Sequence, residues 1–222
     1  IVNSESILAD DMWVKFVTSG GTTSGVGAWE ETNAPGIEYQ LDPLTMPHQL
    51  VRTADGSFAY SAIDWVSRDV GDDITNPLPT FVGSTIRNMF FYRNRFGFLS
   101  SGNVILSKAA SFYDFFAGSA QVAAADDPID ISASSTKPVF LNYVKNASVG
   151  LVLFSDNEQF LLSTDSDILS PETAKINTLS AFECDTNISA VDLGPSIGFI
   201  SKSPLWTRVF EIANISTTDP PS

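Results

Sequence analysis

Short apolar runs separated by turn residues dominate this chain, and few stretches carry a helical period. Met12–Val17 (MWVKFV) predicts a strand that leads into a Gly/Ser/Thr tract, Thr18–Gly27, whose composition is that of a flexible loop. The glycines of that tract follow no strand-then-helix pattern, so a phosphate cradle is a poor reading. Turns are expected at Ala34-Pro35-Gly36, Asp42-Pro43 and Met46-Pro47-His48, where proline fixes φ and glycine supplies positive φ. Leu50–Thr53 and Ser57–Tyr60 flank Ala54-Asp55-Gly56 and predict a tight hairpin with Asp-Gly at its turn. Pro77 and Pro79 then punctuate the chain, and the main boundary is placed there, between residues 1–80 and residues 81–222.

Beyond Phe81 the pattern becomes one of paired apolar runs. Asn88–Leu99 (NMFFYRNRFGFL) meets Ser101-Gly102-Asn103 and returns as Val104–Ser107. Gly150–Phe154 meets Ser155-Asp156-Asn157 and returns as Gln159–Ser163, and Ser196–Ile200 meets Lys202-Ser203-Pro204 and returns as Trp206–Ile212. The first-run glycines Gly97, Gly150 and Gly198 lie 53 and 48 residues apart. A hairpin recurring at about 40 to 50 residues is the sequence sign of β-propeller blades, here near 88–107, 150–163 and 196–212. A β-sandwich with evenly spaced hairpins is the competing arrangement. Ile129-Asp130-Ile131 and Val139-Phe140-Leu141 supply further strands. Ala109–Phe116 and Pro171–Ile176 are expected to make a helical turn or two, the second with Ser170 as N-cap and Pro171 in the first helical position. The expected fold class is all-β, with a propeller-like region built of β-hairpin blades.

Composition narrows the function more than the fold. The 222 residues hold 26 acidic and 12 basic side chains, a net charge of −14. Electrostatic capture of nucleic acid needs clustered Lys and Arg to displace counterions, and an anionic membrane surface needs the same, so neither is an expected partner. One cysteine, Cys184, excludes an internal disulfide framework and a Cys-rich zinc site. One histidine, His48, beside Pro47, reads as a turn residue and leaves little for a Ser-His-Asp site. No apolar run reaches the roughly 18 residues of a membrane span. The acidic first ten residues lack the pattern of a signal peptide, and the chain starts without Met, so a segment of something longer, or a processed product, is expected.

Phe90–Phe116, FFYRNRFGFLSSGNVILSKAASFYDFF, is followed by the acidic element Asp126-Asp127-Pro128-Ile129-Asp130. Together they resemble the tail nozzle (tail tubular protein B) family of short-tailed, podovirus-type bacteriophages. Family-like pieces upstream are Ala34-Pro35-Gly36, Thr45-Met46-Pro47-His48, Leu50-Val51-Arg52, Asp55-Gly56, Asn76-Pro77 and Phe81-Val82-Gly83, so the likeness runs from Trp13 to Glu211. The resemblance implies a non-enzymatic structural virion protein without cofactors. It implies a homo-hexameric ring below the portal and the adaptor (tail tubular protein A) ring, and a channel through which double-stranded DNA passes without specific binding. It also implies docking of tail fibres, and a β-rich platform-like region, assigned to 1–80, beside the propeller-like one. Family members are several times longer than this chain.

Five residues stand out as structural or interface candidates. Arg93 and Arg95 flank Asn94 within an apolar run, and alternation places both on one strand face, as an inter-subunit ion pair or an anchor to a carboxylate. Phe90, Phe91, Phe96 and Phe98 around them favour partial burial with a bidentate partner. Asp126, Asp127 and Asp130 could hold Mg²⁺ or Ca²⁺, but their spacing matches no calcium loop and Pro128 favours a turn or strand entry. Asp72-Asp73 and Asp165 with Asp167 read as loop acids. Acids lining a channel would repel phosphate and let DNA slide. Trp13, Trp29, Trp65 and Trp206, with Tyr39 and Tyr60, are better explained as core or interface than as a sugar platform, and Phe112, Tyr113, Phe115 and Phe116 as a packing knot. Asn146-Ala-Ser148, Asn187-Ile-Ser189 and Asn214-Ile-Ser216 fit the glycosylation pattern and carry no weight without a secretory signal. Two other function classes compete. One is a carbohydrate-binding propeller module presenting Trp65 or Trp206; the other is a propeller-type glycoside hydrolase with paired carboxylates, for which no pair is singled out.

Overall fold

A computed structural model describes residues 12–21, 23–194, 196–202 and 205–213. Among the described residues all regular structure is β, with every sheet antiparallel and no helix. The chain divides into two compact units, Ile1–Pro79 with Ser107–Pro128, and Thr80–Leu106 with Ile129–Ser222.

The first unit carries two hairpins. β1 (Trp13–Thr18) pairs with β2 (Gly27–Thr32), from Trp13↔Thr32 to Thr18↔Gly27, so the Gly/Ser/Thr tract is the hairpin loop; Thr22 lies outside the described residues. β3 (His48–Arg52) pairs with β4 (Phe58–Ala62), as the alternation around Asp55-Gly56 predicts. Gly56 takes φ 88°, a conformation closed to most side chains, and Thr53 N donates to Ser57 O at 2.9 Å across the turn. The buried residues of this unit come largely from loops: Leu41, Met46, Ile63, Trp65 and Val70, with Phe115 and Phe116 from the returning segment.

The second unit holds three sheets, each a meander in which strand order follows sequence order. The first comprises β5 (Ile86–Tyr92), β6 (Arg95–Ser100), β7 (Asn103–Leu106) and β8 (Ile129–Ser132). The second comprises β9 (Leu141–Ala147), β10 (Gly150–Ser155), β11 (Gln159–Thr164) and β12 (Ala174–Ser180). The third has β13 (Val191–Asp192), β14 (Ser196–Lys202) and β15 (Thr207–Ala213); the turn expected at Lys202-Ser203-Pro204 includes Ser203 and Pro204, which lie outside the described residues.

Side-chain alternation explains why these sheets stack. In β10, Leu151 and Leu153 point to one face and join Leu99, Val104, Leu106 and Ile129 of the first sheet in one core. Val152 and Phe154 point to the other and join Ile197 and Phe199 of the third sheet, with Tyr143 and Cys184. The middle sheet is therefore covered on both faces, and β10 reads in the sequence as an unbroken apolar run for that reason.

Four expectations are corrected. Asn88–Leu99 is two strands, because Arg93 and Asn94 both take positive φ (44° and 59°) and close a two-residue turn. This is the hairpin geometry that matches the right-handed twist of the flanking strands. Residues 109–116 form turns, with Ala110 at φ 62° interrupting any helical run. Ser170 caps a single turn, donating no helix beyond it: Thr173 N donates to Ser170 Oγ at 3.3 Å and Ala174 N to Ser170 O at 3.0 Å. Ala174 then opens β12, because pairing with β11 claims its backbone from Thr164↔Ala174 onward. Finally, Val139 and Phe140 precede β9, which begins at Leu141.

Candidate functional site

The five candidate residues meet different surroundings in the fold. Arg93 is exposed in the β5–β6 turn, so it does not share a strand face with Arg95; the turn between them breaks the alternation. Its Nη1 donates to Asp167 O at 3.4 Å, and its guanidinium lies 5.8 Å from the centroid of Tyr92. Arg95 opens β6 and is 1% exposed. It lies on the same face of β6 as Gly97 and Leu99, and its Nη2 donates to Leu169 O at 3.2 Å. Leu169 belongs to the core shared by the first two sheets. The two arginines thus grip one loop, 165–169, in the neighbouring sheet's β11–β12 connection. Asp165 at its start pairs with Lys175. Each of these two contacts is to a backbone carbonyl of that loop, so both arginines tie the first sheet to the second.

The acids of the DDPID element belong to different units. Asp127, 3% exposed, belongs to the first unit and accepts from Gly118 N at 3.0 Å and Ala124 N at 2.8 Å. Lys108 Nζ stands 3.8 Å from Asp127 and 3.9 Å from Asp126. Asp130 lies in β8 of the second unit, where Thr80 N donates to Oδ2 at 2.8 Å and Thr80 Oγ1 to Oδ1 at 2.7 Å. Asp127 and Asp130 thus accept from protein donors and Asp126 faces Lys108; among the described residues no group of three or more His, Cys, Asp or Glu is arranged to hold a metal.

The remaining sequence candidates disperse. Asp72 caps a turn: burial alone would raise its carboxyl, and donors from Thr75 N, Ile74 N and Thr75 Oγ1 outweigh it and hold the group below its ordinary value. Asp55 is fully solvent-exposed, and the Thr53 hydroxyl with the backbone and hydroxyl of Ser57 lowers it to about 2. Trp65 is 6% exposed against Tyr113 and Phe115, so it does not present itself to a sugar. Of the aromatic knot, Phe115 and Phe116 are buried while Phe112 and Tyr113 stay partly open. Trp29 packs edge-on to Phe16, Tyr60 stacks on His48, and Trp206 sits beside Arg208, each on a different element. Cys184 is buried with its Sγ 3.1 Å from Tyr143 Oη, and burial pushes both groups up, leaving an unreactive thiol.

Sequence reasoning missed the residues that organise the first unit. Arg68 is fully buried and donates to Asp73 Oδ1 at 2.9 Å, to Asn76 O at 2.8 Å and to Glu38 O. Asn76 reaches Val70 O and Ala117 O and accepts from Ala117 N at 3.1 Å. Glu31 accepts from Ser119 Oγ and Ala120 N. The one local signal was an arginine between Val66 and Val70 followed by Asp69, Asp72 and Asp73.

Among the described residues, these candidates hold loops and turns in place through clamps and caps. The family model for bacteriophage nozzle proteins matches residues 1–221. The tail tubular protein gp12 of Escherichia phage T7 is 34% identical over 220 residues, 98% of this chain and 27% of that protein, so the chain spans little more than a quarter of the relative's length. The chain belongs to the bacteriophage nozzle protein family, a structural component of the virion tail.

Proposed function

We propose that the protein of which this chain is part assembles as a homo-hexameric ring that continues the genome-ejection channel below the portal and the adaptor ring, and helps dock tail fibres. The likeness to the phage T7 tail tubular protein over 98% of the chain is the observation that carries this reading. The unit with the N-terminal hairpins is its platform-like region. The unit with three sheets is part of a β-propeller. Support for the propeller lies in the architecture: two four-stranded meanders and a third sheet in the same order, stacked face to face. The second strands β6, β10 and β14 carry the recurring glycines Gly97, Gly150 and Gly198.

Double-stranded DNA passes through the channel without specific binding. A net charge of −14 supports this, since carboxylates facing phosphate give a surface that repels rather than holds the duplex. Electron microscopy of tails containing the complete protein, classified for rotational symmetry, is the test. A six-fold ring around a lumen wide enough for duplex DNA, with acids on its wall, is the expected result. A particle without a ring overturns the assembly, and a lumen lined by Lys and Arg overturns the sliding surface.

A further inference from the structure

The sequence contains one Asp-Gly step, Asp55-Gly56, and no Asn-Gly step. Glycine has no Cβ to shield its amide, so an Asp-Gly step is where a chain most readily modifies itself. The Gly56 nitrogen attacks Cγ of Asp55, a C–N bond forms, and the amide proton and the carboxyl hydroxyl leave as water. A second water then reopens the succinimide ring at either carbonyl, returning aspartate or giving isoaspartate. Isoaspartate carries the chain through Cγ, which adds a methylene to the backbone. Water is the only co-reactant.

The step lies in a loop with no room for that methylene. Thr53 N donates to Ser57 O at 2.9 Å, Gly56 N donates to Thr53 O at 3.0 Å, and Gly56 takes φ 88°. A tight turn closed by a positive-φ glycine fixes the register of its strands. Here that register runs from Arg52↔Phe58 to His48↔Ala62, and one extra backbone atom in the loop displaces it.

Both reacting groups are already engaged. Oδ1 of Asp55 accepts from Thr53 Oγ1, from Ser57 N at 3.1 Å and from Ser57 Oγ at 2.8 Å, while the Gly56 amide is given to Thr53 O. Donors on a carboxylate favour its ionised form, and the ionised form does not lose water. The Thr53 hydroxyl, with the backbone and hydroxyl of Ser57, lowers this carboxyl from 3.8 to about 2. At neutral pH the reactive neutral acid is therefore about tenfold to a hundredfold scarcer than in a free aspartate.

We infer that Asp55-Gly56 is a site of spontaneous isomerisation that the Thr53 and Ser57 side chains hold in check. Every restraining group lies within residues 53–57, so the restraint belongs to the turn itself, whatever packs around it. A component of the virion tail is not renewed after assembly, which gives such a restraint its use.

Timed incubation of the complete protein at neutral pH, beside a free peptide of residues 48–62, tests this. Isoaspartate at residue 55 is read by peptide mass spectrometry with electron-transfer fragmentation. The expected result is isomerisation about tenfold or more slower in the folded protein than in the peptide. Equal rates overturn the inference. Thr53→Val combined with Ser57→Ala should bring the folded protein most of the way to the peptide's rate. Thr53→Ser, which keeps the hydroxyl, should stay near the parent. A double variant as slow as the parent shows that the backbone alone protects the step, and overturns the role of the side chains. Amide exchange across β3 and β4 is followed in the same samples. A double variant whose β3 and β4 amides exchange as fast as the peptide's isomerises because its hairpin opens, and that result overturns the side-chain role too.

Discussion

At the scale of single residues, the load falls on two buried arginines, each of which donates to backbone oxygens of a loop. Arg95→Ala removes a charge-assisted bond to Leu169 O and opens a cavity in a core-facing position, a loss of about 3 kcal/mol in denaturant unfolding. Arg93→Ala loses a long contact at an exposed turn and changes stability by less than about 0.5 kcal/mol. Equal effects of the two would remove the distinction between clamp and turn residue. Arg68 gives a second contrast. Its carboxylate partner Asp73 is largely exposed, so Asp73→Asn costs under about 1 kcal/mol. Arg68→Met leaves the Glu38 and Asn76 carbonyls without their donor and costs about 2 to 4 kcal/mol by the same measurement. A large Asp73→Asn effect would mean that the ion pair, and not the carbonyl cradle, holds these loops. Arg68 escaped sequence reading because backbone carbonyls leave no side-chain pattern to recognise; Arg95 was noticed because phenylalanines surround it.

At the scale of strands and turns, close backbone approach fixes some residues outright. A Cβ on Gly150 would stand 2.3 Å from Leu162 O, a backbone atom of the paired strand that cannot swing aside. Gly150→Ala therefore destabilises by about 1 to 3 kcal/mol, measured by thermal or denaturant unfolding. A neutral result would mean that β10 and β11 separate at that end at little cost. The β3–β4 hairpin carries a pH dependence of its own. Asp55 has its carboxyl depressed from 3.8 to about 2, chiefly by the Thr53 hydroxyl and then by Ser57. A depressed carboxyl contributes stability that is fully present above 3.8 and lost as the pH falls through about 2. The melting difference between the parent and Asp55→Asn should stay constant from neutral pH down to about 5 and shrink below 3.8. A difference unchanged to pH 2 would show that the turn does not hold the ionised form.

The same scale explains what was legible. β10 and the Asp55-Gly56 hairpin stand out because an unbroken apolar run and a positive-φ glycine are strictly local signals. The Arg93-Asn94 turn carries no glycine, so its two strands merged into one run. The clamps on segment 107–128 left no trace, because its partners Asn76 and Glu31 lie 41 and 88 residues away in sequence. Regular periodicity reports pairing between neighbours; a core assembled from loops has none to report.

Over the whole chain, the charge ledger bears directly on the proposed passage of DNA. Twelve basic residues face 26 acidic ones, and the fold spends several of the twelve internally. Arg68 and Arg95 are buried, Lys108 stands between Asp126 and Asp127, and Lys175 is paired with Asp165. Arg87 lies over Phe140 and donates to Asn142. What remains is too sparse to displace counterions, whereas the carboxylates at Asp55, Asp73, Asp126 and Asp165 lie largely open to solvent. Binding to a duplex gains its electrostatic free energy from the number of phosphates neutralised, and each released counterion steepens the fall of affinity with salt. With almost none neutralised, the chain should leave a labelled duplex unretarded in a mobility assay even at about 50 mM salt, where non-specific binders hold firmly. Retention that weakens steeply as salt rises would reveal a basic track on the surface. That outcome would count against the proposed sliding surface.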